Sequence, residues 1–69
     1  MNNIEVIING ISKVVQSGIN VSDLIKAEGI ETEKVAVAID MELVPRSAYK
    51  QTVVQAKQNI EILSAVQGG

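Results

Sequence analysis

Ten isoleucines and ten valines stand beside only three leucines in this chain. β-Branched side chains are stiff at χ1 and pack well on pleated surfaces, so this inventory favours strands over helices. At 69 residues the chain is one small domain, with a core in which every large apolar side chain counts. Hydrophobic residues make up 46% of it and charged residues 20%, too apolar a balance for a disordered segment. The expectation is a sheet-dominated domain with little helix.

Local patterns order the elements. Ile4, Val6 and Ile8 alternate and would share one face of a first strand. Asn9-Gly10 follows, and both central residues of the tightest hairpin turns need positive φ, which Asn-Gly supplies. A second strand then runs from Ile11 to about Gln16 and is ended by Ser17-Gly18. Val21, Leu24 and Ile25 fall on one face of a short helix, with Asn20 as its N-cap and Asp23 in its first turn. Gly29 suits the left-handed position after the helix, with Ile30 folding back on Leu24 or Ile25. Val35 to Ile39 reads as a third strand whose alternating alanines would let one face sit close against a helix. Asp40-Met41-Glu42 reads as a turn and Leu43-Val44 as a brief strand, closed by Pro45 because proline cannot donate to a ladder. Arg46 to Gln51 is a loop or a single helical turn, Thr52-Val53-Val54 is ambiguous, and Gln55 to Asn59 is polar and turn-like. A last strand follows from Ile60, with Glu61, Leu63 and Ala65 alternating with Ile60, Ile62 and Val66. The order predicts an α+β domain of the ubiquitin-like β-grasp type over residues 1–66, a mixed sheet packed on one short helix. A flexible C-terminal Gly-Gly tail, residues 67–69, completes the chain.

Residue counts remove several function classes. Cysteine and histidine are absent, which excludes disulfides, thiolate nucleophiles, Cys/His zinc sites and histidine acid–base chemistry. The net charge is −2 and the pI about 4.9, and six scattered Lys and Arg make no basic patch. With Tyr49 the single aromatic, there is no base-stacking platform, and no nucleic-acid partner is expected. No apolar run is long enough to span a membrane and no secretion signal opens the chain, so a cytoplasmic protein is expected. The carboxylates make poor acid–base pairs. Glu31 and Glu33 lie in a charged connector, Asp40 and Glu42 flank a turn, and Asp23 and Glu28 fit helix-end electrostatics. No catalytic residue and no metal site is expected.

The C-terminus differs. Gly68-Gly69 after a strand reads blandly as a frayed end. Read more sharply, the carboxylate of Gly69 is itself the functional group. Two residues without Cβ, preceded by Gln67, make a thin thread that can enter a narrow partner site while the domain stays outside. A carboxylate is a poor electrophile, but as an acyl-adenylate it accepts a nucleophile such as sulfide or an amine.

The chain resembles the sulfur carrier family of thiamin biosynthesis (ThiS). The resemblance covers nearly its whole length. Val35 to Ile39, Leu43-Val44-Pro45-Arg46-Ser47 and Tyr49 carry it, as do Ile60 to Gly69 and the opening strand with Ile8-Asn9-Gly10. It implies that an E1-like adenylyltransferase (ThiF type) uses ATP and Mg²⁺ to adenylate the Gly69 carboxylate. Sulfur from a cysteine-desulfurase persulfide then displaces AMP to leave a thiocarboxylate, and thiazole synthase (ThiG type) takes that sulfur. The chain would be a co-substrate that binds no cofactor of its own. The family often has Asn-Gly-Glu where this chain has Asp40-Met41-Glu42, which leaves room for a longer or differently shaped loop there. It often has Asp-Gly-Asp before the last strand, where this chain has Ala56-Lys57-Gln58-Asn59.

If Ile4, Val6, Ile8, Ile60 and Ile62 face the core, then Ile7, Leu63 and Ala65 face outward as a candidate partner surface. Arg46 is a candidate contact for an acidic partner, and Tyr49 reads as a satellite packing residue. Three other readings stand beside the first. They are a sulfur carrier of the molybdopterin synthase type, a ubiquitin-like modifier with Gly69 as isopeptide donor, and a binding module whose Gly-Gly is incidental.

Overall fold

The computed structural model describes residues 2–64. Five strands form one sheet: β1 (Asn3–Ile8), β2 (Ile11–Gln16), β3 (Val35–Ile39), β4 (Glu42–Val44) and β5 (Asn59–Ser64). Their spatial order is β2-β1-β5-β3-β4. The β1–β5 pair is parallel, and β1–β2, β3–β4 and β3–β5 are antiparallel. One helix, α1 (Val21–Ala27), packs on one face, and single 3₁₀ turns stand at Thr32–Lys34 and Arg46–Ala48. This is the ubiquitin-like β-grasp arrangement, with the first and last strands side by side.

The local signals of the sequence act as the chain chemistry requires. Asn9 (φ +50°) and Gly10 (φ +83°) make the two-residue turn between β1 and β2, and Ile8 faces Ile11 across it. The Asn20 side chain accepts a hydrogen bond from the Asp23 amide at 2.7 Å and caps the first turn of α1. At the other end Gly29 is left-handed at φ +79°. The Gly29 amide donates to the Lys26 carbonyl at 2.9 Å and the Ile30 amide to the Ile25 carbonyl at 3.2 Å, a Schellman ending. Glu28 does not fit the helix-end electrostatics expected of it: it sits at the helix C-terminus, where the dipole disfavours a carboxylate, and Lys13 on β2 offsets it through a 2.6 Å ion pair.

A helix of seven residues cannot stand alone, and packing holds it. Val21, Leu24 and Ile25 are fully buried against Val6, Val37 and Ile60 in one core cluster. Each of these side chains contributes about 1.5–3 kcal/mol by leaving water. The valines and isoleucine of β3 enter this core, and Ala36 and Ala38 lie on the opposite face. That reverses the expected use of the alanines: the large β-branched face of β3 meets the helix, because the core needs volume there. Tyr49 also departs from its expected place at the margin. It is 4% exposed within the main core, and its hydroxyl donates to the Val35 carbonyl at 3.2 Å. The ambiguous segment Thr52–Val54 lies beside the helix entrance. The Val21 amide donates to Thr52 and the Val54 amide to Ile19, both at 2.9 Å, and Val54 is buried. Among the described residues no helix is long and apolar enough to cross a membrane.

Candidate functional site

The candidate site is built from β5, because that strand leads to the chain end. β5 lies between β1 and β3, so its backbone is paired on both sides. On the β3 side the register runs from Ile39–Ile60 to Val35–Ser64. On the β1 side the strand pairing covers only Ile7–Asn59 and Ile8–Ile60, where β1 turns away. Past that point Asn9 takes over. Its amide donates to the Ile60 carbonyl at 2.9 Å. Its side-chain Oδ1 accepts from the Ile62 amide at 2.8 Å, and its Nδ2 donates to the Ile62 carbonyl at 3.2 Å.

A matching contact holds the first residue of β5. Asp40 (φ +50°) and Met41 (φ +74°) form a two-residue turn between β3 and β4, with Ile39 facing Glu42. The expected room for a longer loop is therefore not used. The Asp40 amide donates to the Asn59 carbonyl at 2.8 Å, and its carboxylate accepts from the Asn59 amide at 2.9 Å. The polar stretch before β5 also turns tightly, with Lys57 at φ +69° donating its amide to the Glu5 carbonyl at 2.6 Å.

Two of the residues expected to face outward, Ile7 and Leu63, lie on the sheet face away from α1. Leu63 is 54% exposed there and faces Ala36 across the β3–β5 pair. Ala38 faces Glu61 on one side and Leu43 on the other, and Leu43 is 74% exposed. Leu43 and Leu63 thus share this face with Ala36 and Ala38. Ile7 lies on the same face but opposite Asn59, four residues from Leu63, or roughly 13 Å along the strand. Arg46 is exposed on the 3₁₀ turn after β4, outside the register that aligns these residues. Ala65, Gln67, Gly68 and Gly69 lie outside the described residues.

Sequence reasoning missed Leu43 and the alanines as members of this face. The signal was the alternation across β3 and β4, which is readable once their register is known. It also missed the grip of Asn9 on Ile62, because a turn residue's side-chain partner 53 positions away leaves no local trace. Among the described residues there is no group of three or more potential metal ligands.

The architecture defines a small β-grasp domain whose central strand runs out toward a Gly-Gly chain end. Comparison with known proteins makes this specific. The sequence profile of the ThiS family matches residues 5–69, and the chain belongs to that family of small sulfur carriers. It is similar to the crystal structure of a thiamine biosynthesis protein (ThiS) from Geobacter metallireducens, with 28% identity and a TM-score of 0.82 over 96% of this chain and 100% of that one. The solution structure of a thiamine biosynthesis protein from the same organism gives 28% identity and a TM-score of 0.79 over 96% of this chain and 88% of that one. The chain is also 32% identical over 65 residues, 94% of its length, to a thiazole synthase of Paramagnetospirillum magneticum, and spans 20% of that relative's length.

Proposed function

We propose that this chain carries sulfur for thiazole formation in thiamin biosynthesis, on the carboxylate of Gly69. The observation that carries the reading is the family match running through the last residue, so that Gly68-Gly69 falls inside the matched region. An E1-like adenylyltransferase (ThiF type) joins the Gly69 carboxylate oxygen to the α-phosphorus of ATP, with Mg²⁺, and pyrophosphate leaves. A persulfide sulfur delivered from a cysteine desulfurase attacks the activated carbonyl and AMP leaves. A thiol then cleaves the S–S bond to free the thiocarboxylate. ATP and Mg²⁺ act in the partner, and the carrier contributes the acyl group and a surface.

A thiazole synthase of the ThiG type is the proposed acceptor. The thiazole synthase relative supports it, because a fifth of that protein matches this chain. Docking is assigned to the sheet face that carries Leu43 and Leu63, with Ile7 farther along the same face and Arg46 on the turn after β4 as a separate contact. Apolar side chains this exposed, beside the strand that leads to the tail, favour a surface that is covered when the tail is in use. A cytoplasmic location follows from this reading, since its activating and accepting enzymes work on soluble metabolites.

Intact-mass spectrometry tests the proposal. The full chain is incubated with its adenylyltransferase, ATP, Mg²⁺ and a persulfide donor. The expected result is a mass gain equal to exchanging one oxygen for one sulfur, lost when Gly69 is deleted. Transfer of that sulfur to thiazole synthase separates the thiamin pathway from the molybdopterin one. Lysine conjugates in place of the mass gain would make the chain a modifier, and no change with active partners would overturn the reading.

A further inference from the structure

We infer that Asn9 is a positioning residue for the tail: its side chain stands in for a missing residue of β1 and keeps β5 paired beyond the point where β1 turns away. The inference rests on the carrier reading above. β1 runs parallel to β5 and its register ends at Ile8–Ile60, so the turn that follows carries Asn9 onward to Ile62, in the middle of β5. β3 runs antiparallel, so the turn that ends β3 meets Asn59, the first residue of β5. The two turns share their backbone shape, and the first grips β5 three residues nearer its C-terminal end than the second.

The chemistry of the side chain fits this task. A carboxamide carries one acceptor and one donor in the geometry of a peptide group. Asn9 uses both on a single residue, accepting from the Ile62 amide at 2.8 Å and donating to the Ile62 carbonyl at 3.2 Å. A preference for left-handed φ would explain Asn at this position of the turn, but it requires no bond to a strand 53 residues away. Asp40 makes the contrast. Its carboxylate can only accept, and there its own backbone amide supplies the donor to Asn59. At Asn9 the backbone amide is already spent on Ile60, so the side chain must provide donor and acceptor together. With the Ile62 amide and carbonyl both held by Asn9 on one edge and β3 in register along the other, β5 is held on both edges as far as Ile62, and an activating enzyme receives the tail without first ordering the strand behind it.

The experiment compares Asn9→Gly with Asp40→Gly in the full chain. Glycine adopts positive φ freely, so both variants keep their turns and lose only side-chain contacts. Steady-state adenylation is followed by pyrophosphate release, and amide hydrogen exchange is read at Ile62 and Asn59. Asn9→Gly is expected to raise the KM for the carrier roughly fivefold, the order of one lost net hydrogen bond, with kcat unchanged and Ile62 exchanging faster. Asp40→Gly is expected to speed exchange at Asn59 and leave KM unchanged. Parental KM or parental Ile62 exchange in Asn9→Gly would overturn the inference, as would an equal rise in KM in Asp40→Gly. If the parent chain itself is not adenylated, the carrier reading fails and this inference fails with it. Ile62 exchange would still report whether the clamp exists.

Discussion

The two hairpin turns are one geometry reached from two sequences. Asn9-Gly10 and Asp40-Met41 both open at φ +50°, and their second residues lie at +83° and +74°. The first pair is the combination such turns favour. The second places a methionine, 85% exposed, in a conformation that L side chains rarely adopt. No local preference explains Met41. The register of Ile39 against Glu42 and the bonds from Asp40 to Asn59 do, because they leave only Asp40 and Met41 to join the two strands. The comparison teaches that a turn can be specified by its own residues or imposed by the strands it joins. The imposed turn stores strain.

The largest expected effect comes from the strand both turns grip. Ile60 is fully buried, receives the Asn9 amide on its carbonyl and faces Ile39. Ile60→Ala should cost about 3 kcal/mol in urea unfolding, much of what a domain of this size possesses. A loss under about 1 kcal/mol would mean that β5 is not the centre of the core. Next, Gly10→Val should cost about 2 kcal/mol, since a β-branched residue at that φ is a steric outlier. A Cβ at Gly10 meets nothing within 4 Å, so the penalty would report φ alone. Met41→Gly should do the reverse and raise stability by about 1 kcal/mol, turning the imposed turn into a specified one. An unchanged melting curve would show that Met41 is not strained. Asp40→Asn should change least, within about 0.5 kcal/mol, because the amide oxygen still accepts from Asn59. A larger loss would assign the contact to charge instead of geometry.

Much of the fold was legible because its causes are short-range. The Asn9-Gly10 turn, the Asn20 cap, the Gly29–Ile30 ending and the helical face of Val21, Leu24 and Ile25 each depend on residues within a few positions. The alanines of β3 were misread because alternation separates two faces without saying which one meets the helix. Tyr49 was placed at the margin because an isolated aromatic gives no period to follow. For the candidate site, the outward direction of Ile7 and Leu63 was readable. That Leu43 shares a face with Leu63 was not, since it depends on the pairing of β4 with β3 and of β3 with β5.

The amino-acid sequence by itself determined the strand-rich class, the tight first hairpin and the capped short helix. These are matters of backbone dihedrals, β-branching and chemical identity, which each residue carries with it. Only the tertiary structure decided that Met41 would bend left-handed, that the alanines would face away from the helix and that Asn9 would bond to Ile62. Each of those outcomes depends on which strand lies beside β5, and hydrogen-bonding groups along a strand pair equally well with any neighbour that the core brings into register.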